Sequence, residues 1–153
     1  MRVKVPCALV LIIVAFAVSP RFMFSEERGC EKLGSTFAKS QCLERKLQIS
    51  EAEMNRAFEH ALSAYLPGNE TEKELPTLPK KDAEILRQGD RRTVRALRES
   101  QAKWVAFRES SCAAVEHMYQ GATITAEAVP ACELELTQQR TAWLNSYFND
   151  QKE

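Results

Sequence analysis

The sequence predicts an all-α protein: an antiparallel three-helix bundle stapled by two disulfides, after an N-terminal signal peptide. Three observations predict it. Apolar residues recur at helical spacing along three long segments, four cysteines follow an apolar leader, and no segment alternates polar and apolar residues as a β-strand does. We therefore divide the 153-residue chain into a signal peptide, residues 1–25, and one helical domain, residues 26–153.

The N-terminal segment has the pattern of an export signal. Arg2 and Lys4 precede an apolar run from residue 5 to residue 18, which is short for a membrane span. Boundaries near Ala17 and near Ser25 both remain open, and so does an uncleaved leader that anchors the chain. We expect contact with a membrane, if there is any, only through such a leader. Export predicts a periplasmic or secreted protein in an oxidising compartment, where an even number of cysteines usually forms disulfides.

The charge of the exported chain narrows the class of partner. Residues 26–153 contain 18 Lys and Arg against 21 Asp and Glu, a net charge of about −3. Nucleic-acid-binding domains need a basic stripe, so the composition argues against a nucleic-acid partner. A mildly acidic protein suits a cationic partner instead.

The first helical pattern covers residues 35–66. Ser35 or Thr36 can cap its start, and Pro67 with Gly68 ends it. A polar, proline-broken connection then occupies residues 67–81, and connections of this length are often functional or disordered.

Two further helical patterns complete the bundle. The second covers residues 82–119, where Gly89 and Asp90 leave open a kink or a break, and the third ends near Phe148. Pro130 fits the third helix only in its first turn, where its missing N–H matters least. The predicted packing rows are Val94, Leu97, Gln101, Trp104, Arg108, Ser111, Val115 and Met118, and then Val129, Cys132, Leu136, Arg140, Trp143 and Tyr147.

Helix register favours one arrangement of the cysteines. Cys112 lies about seven residues before the second turn, and Cys132 lies about seven residues after the third helix begins, so both stand at one height on antiparallel neighbours. We therefore favour Cys112–Cys132, with Cys30–Cys42 tying the N-terminal arm to the first helix. Four cysteines allow three pairings, and the sequence leaves the other two open.

Polar residues interrupt the predicted helix seams. Gln101 and Arg108 lie in the second seam and Arg140 lies in the third, and a buried charge requires a partner. Counting turns from the shared end of the bundle, we expect Glu51 to pair with Arg108 or Arg140, with Glu109 as the alternative acid. A structural ion pair is the preferred interpretation, ahead of a polar binding site within the bundle.

Candidate catalytic residues are few. The two histidines, His60 and His117, lie on different helices, and Cys112 and His117 are about 140° apart around one helix. We expect a non-enzymatic protein with no metal and no cofactor. We assign the large aromatic residues to the core: Phe58, Trp104, Phe107, Trp143 and Tyr147.

The pattern Gln101-x-x-Trp104-x-x-Phe107-Arg108-Glu109-x-x-Cys112 resembles the signature of the lysozyme inhibitor LprI-like family of small bacterial envelope proteins. Shorter matching pieces follow Cys42 and Cys132, and they are Glu51-x-x-Met54-Asn55-x-x-Phe58 and Leu136-Thr137-x-x-Arg140-x-x-x-Leu144. The resemblance covers about residues 30–148. It departs at Met54 and Phe58, where the family often has Leu and Tyr, and at Gly121-Ala122-Thr123, where it often has a Gly-Gly-Ser-like turn.

The resemblance implies inhibition of a lysozyme. A lysozyme is usually cationic and cleaves glycan in a cleft that holds two carboxylates, so an acidic inhibitor would be steered to it and could insert a loop. An envelope adaptor that binds another envelope protein is the alternative, because one scaffold can carry several functions. The loop candidates are Glu70, Glu72 and Glu74 for steering, and Tyr119, Gln120 and Thr123 for insertion.

Overall fold

The computed structural model describes residues 28–68 and 70–149, and the predicted signal peptide lies outside them. These residues form helices and turns without a β-strand, which confirms the all-α prediction. None of the described helices has the length and apolar content that a membrane span requires. The five α-helices are α1 (Arg28–Glu31), α2 (Thr36–Ser63), α3 (Glu70–Glu74), α4 (Lys80–Met118) and α5 (Thr125–Leu144).

Helices α2, α4 and α5 form the predicted antiparallel three-helix bundle. Helix α5 packs most extensively along α2 and runs parallel to it, since Leu134 meets Leu43 near one end and Leu144 meets Ala61 near the other. Helix α4 runs antiparallel to both. The second half of α4 contacts α5. The chain therefore passes up, down and up through the bundle.

Local sequence sets the ends of α2. The Ser35 side chain accepts a hydrogen bond from the Ala38 N–H at 3.2 Å, so Ser35 rather than Thr36 caps the helix. The helix ends at Ser63, and Gly68 then adopts a φ of 87°, which a residue without a Cβ reaches without strain.

Helix α4 is continuous over 39 residues, so the break at Gly89 and Asp90 that the sequence left open does not occur. A single glycine weakens a helix but does not interrupt its backbone hydrogen bonds, and the Thr93 hydroxyl bonds the Gly89 carbonyl at 3.1 Å. The connection before α4 also contains helical structure, although the sequence predicted an irregular, proline-broken loop. It contains α3 and a 3₁₀ turn, Leu75–Thr77, whose Leu75 is buried.

Helix α5 begins at Thr125, so Pro130 is its sixth residue and lies in the second turn, not in the first as expected. The proline removes only the bond that this position would donate to Ala126, and its ring is buried in the bundle. Beyond Leu144 the chain continues as a π-helical turn, Asn145–Asn149, in which the Asn149 amide donates to the Ala57 carbonyl at 3.2 Å.

The disulfides pair as predicted and lie at the same end of the bundle. Cys112–Cys132 joins α4 to α5, and Cys30–Cys42 joins α1 to α2, each with Cα atoms 5.7 Å apart. Cys30 packs with Leu43 and Leu134 in one apolar cluster. A second cluster lies at the opposite end and consists of Met54, Ala57, Ala61 and Leu144.

The prediction of an aromatic core is only partly correct. Phe58 and Trp104 pack half-buried against the second cluster, but Phe107 is 55% exposed and Tyr147 is 61% exposed. Trp143 is also exposed, because consecutive residues of a helix differ by about 100° and the buried position is Leu144. Met118, assigned to the packing row of α4, is exposed near the end of that helix.

Candidate functional site

The polar residues of the predicted seams meet in the centre of the bundle. The Nη1 atom of Arg108 donates to Glu51 Oε1 on α2 and to Thr137 Oγ1 on α5, each at 2.9 Å. One guanidinium therefore links all three helices. Of the partners left open for Glu51, the structure selects Arg108, and Glu109 is exposed on α4.

Arg140 forms the next layer of the polar seam. Its Nε donates to Gln101 Oε1 and its Nη2 donates to Ser100 Oγ, both at 3.0 Å, while the guanidinium lies 4.6 Å from the centre of the Trp143 ring. The residue is only 8% exposed, and burial lowers the pKa of Arg140 below its ordinary value. The Gln101 amide in turn donates to the sulfur of Met54 at 2.9 Å.

This arrangement is suited to holding helices together. Both guanidiniums donate N–H groups to neighbouring side chains, although the buried Nε of Arg108 has no hydrogen-bond partner among the described residues, and a guanidinium at neutral pH is a donor that cannot accept a proton. Within residues 28–68 and 70–149, no three His, Cys, Asp or Glu side chains are grouped to hold a metal ion. A structural role remains our preferred interpretation of the seam, and the surfaces at the ends of the bundle are the candidate binding sites.

The turn between α4 and α5 forms one of these surfaces. Gly121 takes a φ of 79° at the bend, and the Thr125 hydroxyl bonds the Tyr119 carbonyl at 2.6 Å. Gln120 and Thr123 are exposed at the tip. Beside the turn lies an open groove of about 230 Å³, to which Tyr119 contributes one wall.

The groove is mainly apolar with charged residues at its edge. Leu43, Ile124 and Ala128 line it together with Cys30 of the N-terminal arm. Lys39 and Glu127, which also line it, form an ion pair at 3.6 Å. The groove depends on three helices and a disulfide, so no short sequence pattern could have identified it.

The acidic connection lies beside the first half of α4, next to Arg87 and Arg91, which are roughly 40–47 Å along the helix axis from its last residue, Met118. The Glu72 carboxylate accepts a hydrogen bond from the Gly68 N–H, and it shares a pocket of about 170 Å³ with Arg87 and Arg91. Glu74 is exposed, whereas the side chain of Glu70 lies outside the described part of the structure. The structure therefore does not bring the two sets of loop candidates together.

Sequence reasoning found most of the seam but not all of it. It missed Ser100 and Thr137 as partners of the two arginines, although Thr137 lies three residues before Arg140 on the same helix. It also grouped Asn55 and Phe107 with the signature, and both are exposed outside the seam. Packing therefore accounts for the buried signature residues and not for these two.

A sequence model of the family described as lysozyme inhibitor LprI matches residues 30–144. This range contains both disulfides, the three seam helices and the turn. The chain belongs to the lysozyme inhibitor LprI family. It is also 27% identical over 144 residues to an uncharacterized protein of Rhizobium meliloti (strain 1021), with 94% of each chain covered. No solved structure matches it.

In this LprI-family chain, we expect the Glu51–Arg108 pair to contribute a coupling energy of about 1 kcal/mol to the free energy of unfolding. The value is modest because the Glu51 side chain is 38% exposed and water screens the pair. A double-mutant cycle with Glu51→Gln and Arg108→Met, measured by urea unfolding, gives this energy.

The exposed pair of Arg91 and Glu84 is a matched control, because its N–O distance of 2.8 Å is nearly the same while both side chains are more than half exposed. The cycle with Glu84→Gln and Arg91→Met should give less than about 0.5 kcal/mol. Equal coupling in the two cycles would show that burial in the seam adds nothing to the interaction.

Proposed function

We propose that this chain is a non-enzymatic protein of the bacterial envelope that inhibits a peptidoglycan-cleaving lysozyme through the turn between α4 and α5. Family membership over residues 30–144 is the observation that carries the proposal. A periplasmic or secreted location agrees with the leader pattern of residues 1–25 and with the two disulfides, which persist in oxidising compartments.

The charge distribution favours the turn as the contact surface. Residues 99–149 contain six Asp and Glu and only three Lys and Arg, of which Arg108 and Arg140 bind partners in the seam. Among the cations of residues 99–149, Lys103 alone is exposed, whereas several acids of the same range are exposed, including Glu109 and Glu116. An acidic surface of this kind would raise the association rate with a cationic enzyme.

The geometry of the turn also supports this choice. The disulfide Cys112–Cys132 fixes the helices on both sides of the turn, so its tip is held on a rigid base. A preorganised loop loses less conformational entropy when it enters a cleft than a flexible one does. Gln120 and Thr123 supply polar groups at the tip, and Ile124 supplies an exposed apolar side chain beside the groove.

The acidic connection is the weaker candidate for steering. Glu72 is hydrogen-bonded within its own loop, and the nearby Arg87 and Arg91 oppose its negative charge. Glu74 remains available, and Glu70 stays a prediction. We therefore assign the contact to Tyr119, Gln120, Thr123 and Ile124, with the acids of the second half of α4 supplying the attraction.

The test is the clearing of a bacterial cell-wall suspension by c-type and g-type lysozymes while the oxidised, processed protein is titrated in. We expect protection that saturates near a one-to-one ratio and weakens as salt is added. The triple variant Gln120→Ala, Thr123→Ala and Ile124→Ala should require at least about tenfold more protein, since interface residues at the centre of a contact each contribute on the order of 1 kcal/mol.

The matched control removes the same three types of side chain at the other end of α4, with Gln88→Ala, Thr77→Ala and Leu78→Ala. All three positions are exposed, and we expect unchanged inhibition. If both triple variants inhibit equally well, the turn is not the contact surface. If the folded, disulfide-bonded protein protects against neither enzyme, the inhibitor proposal fails and an adaptor for another envelope protein takes its place.

A further inference from the structure

We propose that the outward face of the first half of α4 is a docking surface for an anionic lipid membrane, recognised through its phosphate headgroups. Four arginines, which we call the arginine stripe, define this face, and they are Arg87, Arg91, Arg95 and Arg98. This inference does not depend on the proposed inhibition of a lysozyme. It concerns the opposite end of α4 and a different class of partner.

The spacing of the arginine stripe places its members on one side of the helix. Steps of four, four and three residues keep all four Cα positions within an arc of about 80° and spread them over about 16 Å of helix. Each of the four side chains is exposed, and so is the neighbouring Arg92. The stripe is therefore a continuous cationic surface.

This surface lies beside the packed face of α4 and does not include it. The buried residues in the same part of α4 are Ala83 and Leu97, whose helix positions lie roughly 80° and 120° from the centre of the stripe. Contacts of α4 with α5 involve the second half of the helix, from Ser100 to Cys112. The connection before α4 borders Arg87 and Arg91 but leaves them exposed, so a partner of the size of a membrane can reach the stripe without displacing α5.

Local acids neutralise the stripe only in part. Residues 72–99 contain eight Lys and Arg against six Asp and Glu, a net charge of +2, although residues 26–153 as a whole have about −3. Glu72 shares a pocket with Arg87 and Arg91. Glu84 binds Arg91 at 2.8 Å, but both side chains are more than half exposed, and such pairs leave most of the surrounding potential in place. The total charge of the chain therefore does not reveal that positive charge is concentrated in the first half of α4.

The chemistry of the stripe favours phosphate. Every cation from residue 87 to residue 98 is an arginine, whose planar guanidinium can donate two parallel hydrogen bonds to two oxygens of one phosphate. Clusters of four or more basic residues on a helix are attracted to anionic lipid surfaces over about a Debye length.

An exposed apolar residue favours a membrane over a nucleic acid. Ile85 is 57% exposed and precedes Gln88 by three residues and Arg92 by seven, so it lies on the helix row that borders the stripe. An aliphatic side chain beside cations can enter the boundary between headgroups and acyl chains. Leu78 and Leu86, at the same end of the molecule, are also exposed.

The experiment uses the processed chain after export and oxidation in a bacterial host, with its N-terminus verified by mass spectrometry so that the leader does not contribute. Sedimentation with vesicles of equimolar phosphatidylglycerol and phosphatidylcholine should carry the protein down, and vesicles of phosphatidylcholine alone should not. Binding should weaken steeply with added salt.

Two variants of equal charge test whether the stripe is responsible. The triple variant Arg87→Gln, Arg95→Gln and Arg98→Gln keeps the Arg91–Glu84 pair and should bind anionic vesicles on the order of 100-fold more weakly. The control variant Lys32→Gln, Arg45→Gln and Arg56→Gln removes three exposed cations from elsewhere and should change binding less than about threefold. Circular dichroism and urea unfolding verify that both variants fold.

A further substitution tests the apolar contact. Ile85→Ser should weaken binding several-fold while leaving its salt dependence unchanged, because it removes apolar area and no charge. Equal binding of the two triple variants would overturn the proposal, and so would equal binding to anionic and neutral vesicles. Tighter binding to a DNA duplex than to anionic vesicles at the same salt concentration would overturn the choice of lipid.

Discussion

Removing the Cys112–Cys132 disulfide by Cys112→Ala and Cys132→Ala is expected to lower the free energy of unfolding by about 3 kcal/mol. The bond closes a loop with a sequence separation of 20 residues and thereby restricts the unfolded chain. In the folded state it holds α4 against α5 at the end that carries the turn. Urea unfolding followed by the fluorescence of Trp104 and Trp143 measures the loss.

The double variant Cys30→Ala and Cys42→Ala is the comparison. Its loop is shorter, with a separation of 12 residues, and the bond holds only the four-residue helix α1 to the bundle. We expect α1 to detach locally while the cooperative transition of the three long helices changes less, because those helices keep their mutual contacts. A loss below about 1 kcal/mol for the Cys112 and Cys132 variant would contradict the role given to that bond.

Arg140→Ala is expected to cost about 3 kcal/mol of stability, the largest effect of a single substitution that we anticipate. The change removes charged hydrogen bonds to Gln101 and Ser100 and the stacking on Trp143. It also leaves an unfilled volume between α4 and α5, since only 8% of Arg140 is exposed. Urea unfolding of the oxidised protein measures the effect.

Arg140→Met separates volume from charge. It fills most of the same space without donors, and replacing a buried ion by an apolar side chain of similar size is often tolerated, so we expect a loss of about 1 kcal/mol. Arg56→Ala, at an exposed position of α2, should change stability by less than about 0.5 kcal/mol. If methionine destabilised as much as alanine, the hydrogen bonds would dominate and packing would contribute little.

Helix register explains why the interior could be predicted in part from the sequence. Cys112 with Cys132, and Glu51 with Arg108, each lie at one height on neighbouring helices, and counting residues from a shared turn locates such pairs. Counting residues gives the height of a side chain in the bundle, but it does not show which of several polar side chains at that height is long enough to reach a given arginine. The partners of Arg140 are accordingly Gln101 and Ser100, which were not assigned to it.

The exposed residues were harder to predict, for a geometric reason. Apolar spacing shows which residues share a helix face, but not how much of that face a neighbouring helix covers. Phe107 is 55% exposed although it lies between Ser100 and Cys112, which both contact α5, and Met118 is 67% exposed at the last residue of α4. The groove beside the turn was also beyond prediction, because Cys30, Leu43 and Ile124 come from three separate segments of the chain.

The position of Cys112–Cys132 also determines what happens when a protease cuts the chain. Cleavage of any peptide bond between these two cysteines, the exposed turn at Gly121 included, leaves two fragments that are still joined covalently. Cleavage between α2 and α4 has a different outcome, because neither disulfide of the described residues spans that connection. The part of the molecule that we expect to meet a partner is therefore the part where a nick does not release a fragment.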